Sequence, residues 1–174
     1  MVSQGYITHR KDQEVTVENL SSYRRGLYFE EFEVGQRIIS TGRTVTESDV
    51  VSFAGVSGDY NQIHTDAEFS TNAPFGQRVA HGLLCLSIAS GLAMRTGVLE
   101  GTVMAFREIN ELKFIKPVFL GDTIHVEMEV TETKAISRIG GGSVVISIVL
   151  MNQRQETVMK GIWTVLVMSK PKKD

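Results

Sequence analysis

Hydrophobic and polar positions change their rhythm twice along this chain, and the changes divide it into segments. The first 25 or so residues are polar and charged, include Arg24 and Arg25, and show no sustained periodicity, so residues 1–26 are expected to form an N-terminal arm. Residues 37–45 read as a short strand weakened at Gly42. The rhythm then becomes helical. Thr46 and Asp49 have the form of a capping box, and Val50, Phe53, Ala54 and Val56 follow at helical spacing, so this helix delivers the chain to Ser57, Gly58 and Asp59. Residues 65–70 look like one or two helical turns, and a break spans 72–76. Ala80, His81 and Gly82 open the longest helical candidate, about 82–96, which is apolar nearly all round and must therefore be wrapped on most sides. From Thr102 onward the period is that of strands, at 103–115, 123–133, 143–152 and 157–168. Turns are expected at 119–122 and at 139–142, the latter a flexible hairpin of three glycines. The pattern predicts an α+β domain over 27–168, its sheet wrapped around one helix, with a disordered tail at 169–174.

Composition narrows the partners. The 174 residues suit one domain, and 42% hydrophobic with 22% charged residues and a net charge of −2 argue against both disorder and a nucleic-acid footprint. The single cysteine, Cys85, lies between Leu84 and Leu86 and reads as a small buried hydrophobe in a reducing compartment. No apolar run reaches the roughly 20 residues that span a bilayer, and the N-terminus lacks a signal-peptide core, so a cytoplasmic protein without membrane partners is expected.

The candidate chemistry lies between Phe53 and His64. Asp59, Asn61 and His64 place a carboxylate, an amide and an imidazole behind a turn-forming Ser57-Gly58 pair. Imidazole titrates near neutral pH, and a neighbouring carboxylate can fix its tautomer, so this set can hold and move a proton. Taken alone, Asp59 is equally a turn residue. His81, beside a helix start, reads more simply as a cap or packing residue than as a second catalytic group. Ser90, two turns into the long helix, can reach Asp59 or back-bond within its own helix. No His, Cys, Asp or Glu cluster shows convincing metal spacing. Phe106, Phe114, Trp163, Met94, Met104 and Met128 are assigned to the core rather than to a tunnel.

These residues also carry a resemblance. Phe53, Val56, Ser57, Gly58, Asp59, Asn61, His64 and Ser70, in that spacing, resemble the hydratase signature of the MaoC-like dehydratases, or R-specific enoyl-CoA hydratases, which have the hot-dog fold. Ala80-His81-Gly82 with the apolar helix, and Lys113, Phe114, Pro117, Val118, Phe119, Gly121 and Asp122, resemble the same family, so the likeness covers about residues 28–168. Gln62 departs from it, standing where the family usually has proline.

The resemblance implies a single hot-dog domain that reversibly adds water, syn, to a trans-2-enoyl-CoA to give the R-3-hydroxyacyl thioester, with no metal or cofactor. In that scheme His64 activates water, Asp59 positions it and delivers the α-proton, Asn61 braces the loop or holds the water, and the Gly82 amide stabilises the thioester oxygen. His81, Ser90 and Arg78 are candidate substrate-binding residues, with Arg78, Arg43, Arg107 and Lys116 the candidates for the phosphates of coenzyme A. The family pattern further implies a homodimer or larger homo-oligomer. A hot-dog thioesterase and a non-catalytic acyl-CoA-binding protein remain the competing expectations.

Overall fold

A computed structural model describes residues 26–171, so the predicted arm apart from Gly26, and residues 172–174 of the predicted tail, lie outside the described residues. Strands β1 (Arg37–Ile39) and β2 (Arg43–Thr44) are separated at Ser40, Thr41 and Gly42, where the sequence reads as one weakened strand. Helices α1 (Glu47–Ser57), α2 (Gln62–Thr65), α3 (Ala67–Thr71) and α4 (Gly82–Arg95) follow, then β3 (Val103–Phe114), β4 (Thr123–Ile136), β5 (Gly141–Asn152) and β6 (Thr157–Met168). The four long strands and the long helix stand where the pattern of the chain predicts them; α2, which carries His64, is an addition. Among the described residues no helix is long and apolar enough to cross a membrane.

The six strands form one antiparallel sheet in the order β1-β4-β5-β6-β3, with β2 also paired to β4 beyond β1. Alternate residues of β4 (Ile124, Val126, Met128, Val130) and of β5 (Val144, Ile146, Ile148, Leu150) are buried, the period-two pattern of a sheet with one face in the core. Against that face lie Leu84, Cys85, Ile88, Ala89, Leu92 and Ala93 of α4. The sequence places α4 inside a nearly complete wrapping, but Leu83 is 58% exposed and Met94 38%, so one stripe of the helix is uncovered. Trp163 and Met128 are core residues as expected, whereas Phe106, Phe114 and Met104 sit partly exposed on the edge strand β3.

The glycines at 140–142 are not a flexible hairpin. Only Gly140, at φ +63°, makes the turn. Gly141 and Gly142 already belong to β5, and a Cβ would collide with the Val167 carbonyl at the first and with the Phe29 ring at the second, so close packing requires glycine there. The start of the predicted disordered tail is held: the Ser169 amide donates to the Gly140 carbonyl and the Lys170 amide to a Glu30 carboxylate oxygen.

The turn before β4 is organised by Asp122, which is 4% exposed. Its carboxylate accepts from the Phe119 amide at 2.9 Å, Gln153 Nε2 at 2.6 Å and Arg154 Nη1 at 3.0 Å. Burial by itself would raise this carboxyl group, but the Gln153, Phe119 and Arg154 donors outweigh it and hold the group below the ordinary carboxylate range. Because the folded-state value is depressed, the stabilisation is fully present above the ordinary range and disappears as pH falls through the lowered value. Asp122→Asn is therefore expected to cost about 1–3 kcal/mol at neutral pH. Its urea midpoint should also fall less steeply than that of the natural chain below about pH 4, as checked by urea unfolding across a pH series.

Candidate active site

Helix α1 begins with the expected capping box. Thr46 Oγ1 accepts from the Asp49 amide, and Asp49 Oδ2 accepts from the Thr46 amide at 2.8 Å. It ends at Gly58, whose left-handed φ of +77° turns the chain out of the helix and into the loop that holds Asp59. Ser57 Oγ accepts from the Asp59 amide, and Asp59 Oδ1 accepts from the Asn61 amide, both at 3.2 Å, so the loop is tied by its own side chains.

Asn61 acts locally, capping α2 through its Oδ1, which accepts from the Ile63 amide at 3.2 Å. Gln62 is the first residue of α2, the helical position where proline is well tolerated and where the family's proline would fall. Without proline, the turn is held by the Asn61 cap and by Ser70 Oγ, which donates to the Gln62 carbonyl at 3.2 Å.

The two histidines are fixed in complementary ways. Val79 pairs with α2 at both ends: its amide donates to the Ile63 carbonyl at 3.1 Å, and its carbonyl accepts from His64 Nδ1 at 2.7 Å. With Nδ1 as donor, the neutral His64 ring presents its lone pair at Nε2. His81, at the cap position of α4, makes no capping bond; its Nε2 instead donates to the Asp59 carbonyl at 2.9 Å. Of the two simple expectations, cap or packing residue, the cap fails and the packing holds, and the residue also ties the Asp59 loop to the start of α4. Its Nδ1 is buried without a hydrogen-bond partner among the described residues. The two imidazoles lie against each other, centroids 3.9 Å apart and planes tilted by 34°, and the Phe53 ring centroid is 5.0 Å from that of His81.

The structure also gathers what the linear spacing conceals. One side-chain atom each from Asp59, His64 and His81 lie within 4.8 Å of one another, a meeting of three titratable groups that the linear spacing does not show. His81 stands 22 residues from Asp59, and only the return of the chain along Val79 and Ala80 brings them together.

His64 and Gly82 open onto one apolar cavity of about 410 Å³, lined also by Phe75, Leu83, Phe114 and Met159. Gly82 begins α4, where the first amides have no preceding helical carbonyl and the helix dipole favours negative charge. A Cβ on Gly82 would meet the Phe114 ring at 2.8 Å, so glycine permits this close approach. Cys85 borders the cavity, but burial pushes its thiol up to about 12, which keeps it from acting as a thiolate nucleophile.

The remaining sequence candidates fall outside this constellation. Ser90 is half-buried on α4 and is not among the residues bordering the cavity. Arg78 makes a two-pronged ion pair with Glu47, at 2.7 and 2.5 Å, which raises the guanidinium's pKa and lowers that of the carboxyl. Arg43 is likewise paired with Asp49, and Lys116 Nζ with Glu156 at 2.6 Å, although Lys116 does border the cavity. Arg107 lies on the exposed strand β3.

The chain is similar to known proteins in sequence and in fold. Residues 31–152 match the family model for the MaoC like domain. Protein MaoC of Klebsiella aerogenes is 38% identical over 115 residues, 66% of this chain but 33% of that protein. The 3-hydroxybutyryl-CoA dehydratase of Methylorubrum extorquens is 39% identical over 108 residues, 62% of this chain and 66% of that protein. The chain thus spans less than two thirds of the length of either relative. Among solved structures, an R-hydratase of Pseudomonas aeruginosa superposes with a TM-score of 0.71 at 31% identity, covering 83% of this chain and 88% of that one. With a family model matched over most of its length and that family's helix-in-sheet architecture, the chain belongs to the MaoC-like dehydratase and R-specific enoyl-CoA hydratase family and has its hot-dog fold.

Proposed function

We propose that this protein is a hydro-lyase that reversibly hydrates a trans-2-enoyl-CoA to the R-3-hydroxyacyl-CoA. The observation that carries the reading is the meeting of Asp59 and His64, within 4.8 Å, beside an apolar cavity that also borders the first residue of α4. A carboxylate, an imidazole with a free lone pair and a helix start beside an apolar slot are the parts that hydration of a conjugated thioester needs.

His64 Nε2 takes a proton from a water held between it and Asp59, and the water oxygen bonds to the β-carbon of the enoyl group. The displaced π electrons move to the thioester oxygen, where the Gly82 amide stabilises the enolate charge. The Asp59 and His64 pair then returns a proton to the α-carbon on the same face, so one water is added in net and the enzyme regains its starting protonation. The acyl chain lies along Phe75, Phe114 and Met159. Asn61 acts by holding α2, and so His64, in place.

A homodimer is part of this proposal. Strand β3 is the sheet edge, and along it Phe106, Ile109 and Phe114 are 45%, 39% and 52% exposed, a degree of exposed apolar edge that a second copy would cover. Light scattering of the purified chain is expected to give twice the chain mass or a multiple of it, and a monomer would refute the pairing.

Turnover is tested by following the loss of enoyl absorbance with crotonyl-CoA while free thiol is measured in the same sample. Absorbance should fall without thiol release; thiol release would identify a thioesterase, and tight binding without turnover would identify an acyl-CoA-binding protein. Asp59→Asn and His64→Ala are each expected to lower kcat by roughly 10²-fold or more, the scale of a lost proton-transfer group. Near-natural rates in folded variants would remove the assignment.

The Gly82 amide can be tested separately, because proline is tolerated at the first helical position. His81 already has the extended backbone (φ −60°, ψ 136°) that a residue before proline prefers. Gly82→Ala and Gly82→Pro both add a Cβ against Phe114, but only proline removes the N–H. The proline variant is expected to lose about 10²–10³-fold in kcat relative to the alanine variant, and equal rates in the two would exclude the amide from catalysis.

A further inference from the structure

We propose that His81 is the positioning residue of the proton-transfer site, a brace that holds the Asp59 loop and the His64 ring in one arrangement without touching the substrate. Asp59 is exposed, and the loop that carries it is tied almost wholly to itself. Among the described residues, the other hydrogen bonds of residues 58–60 join them to one another or to partners within five positions, Ala54 and Ser57 before them and Asn61 and Thr65 after them. Bonds of that span shape a loop, but they do not fix where it stands against the rest of the molecule. The bond from His81 Nε2 to the Asp59 carbonyl, 2.9 Å long and spanning 22 residues, is the one that does.

The same ring bears on His64. A single hydrogen bond, from Nδ1 to the Val79 carbonyl at 2.7 Å, anchors one atom of that imidazole. His81 lies against it with centroids 3.9 Å apart, so the plane of the His64 ring, and with it the direction of its Nε2 lone pair, is held from the side. His81 is 2% exposed, so water does not compete for its bond to the loop. A carbonyl can only accept, which places the His81 proton on Nε2. Its place in the chain, immediately before Gly82, joins this brace to the helix start beside the cavity.

The brace acts on geometry alone. His81 is not among the residues that border the cavity, so its loss should leave substrate binding in place and lower turnover. A misplacement of about 1 Å can cost roughly 10²-fold in rate. That consequence rests on the hydratase reading, whereas the tie between His81 and the loop does not.

Three variants of the full chain separate the two contacts. His81→Phe keeps a ring against His64 but cannot donate, His81→Gln keeps a side-chain N–H of similar reach but no ring, and His81→Ala has neither. With crotonyl-CoA, kcat is expected to fall roughly 10²-fold in His81→Ala and roughly 10-fold in each of the other two. KM should stay within about twofold of the natural value throughout. Nitrogen-15 spectra of the natural chain should show His81 protonated at Nε2. Relaxation measurements should show the backbone of residues 59–61 more mobile in His81→Phe and His81→Ala, and returned toward its natural order in His81→Gln.

A proton on Nδ1 and not on Nε2 in the natural chain refutes the brace with no variant needed, and so does a loop of natural order in His81→Phe. Natural rates in folded His81→Ala, or a glutamine variant no faster than the alanine one, would count equally against it. A raised KM with natural kcat would instead make His81 a substrate contact and overturn the positioning role. A loop loosened by phenylalanine and restored by glutamine, in a chain that hydrates no enoyl-CoA, would uphold the brace and remove the hydratase reading alone.

Discussion

The pairing of Val79 and Ala80 with two different parts of the chain is the constraint on which the site depends. Val79 holds α2 through the Ile63 carbonyl and the His64 ring, and the Ala80 amide donates to the Val118 carbonyl at 2.8 Å. One buried two-residue stretch therefore fixes His64, aims the start of α4 and ties both to the turn before β4. Backbone groups in such a place have no water to turn to, so their partners are obligatory and the geometry is correspondingly rigid. His81, immediately after, completes the frame by donating to the Asp59 carbonyl.

That frame in turn stands on the turn around Asp122. The Val45 amide donates to the Asp122 carbonyl and the Gly121 amide to the Val45 carbonyl, both at 2.8 Å, while the Asp122 carboxylate gathers Phe119, Gln153 and Arg154. The residue just before the α1 capping box and the strand that lies beneath α4 thus share one knot of hydrogen bonds. A carboxylate can be buried there because several donors offset its desolvation. The polar site is in this way supported from a position that contributes nothing to its chemistry.

The reactive side of the molecule is less fully satisfied than its support. Asp59 is exposed, His81 Nδ1 lacks a partner among the described residues, and the cavity beside His64 is apolar. Unsatisfied polar atoms of this kind gather where a protein handles ligands, since a site that met all its own hydrogen-bonding capacity would have none left for a substrate. The same holds for the uncovered stripe of α4 and the apolar edge of β3, which the single chain leaves open.

Much of this was legible in the linear chain because its signals are local. Period-two alternation marks β4 and β5 through contacts a single sheet face imposes, and the Thr46–Asp49 capping box and the Gly58 turn depend on neighbours within a few residues. Asp59, Asn61 and His64 are five residues or fewer apart, so their meeting needs only a loop. What tertiary structure alone decided involves distant partners. It stacked His81 on His64, occupied Arg78 with Glu47, packed Gly141 and Gly142 against β6 and Phe29 where a flexible turn was expected, and left one face of an apolar helix uncovered. Side-chain type and spacing determine which elements form and which chemistry is available, but a tautomer, an ion pair or a close backbone approach is set by a residue far along the chain, and no period in the sequence encodes that distance.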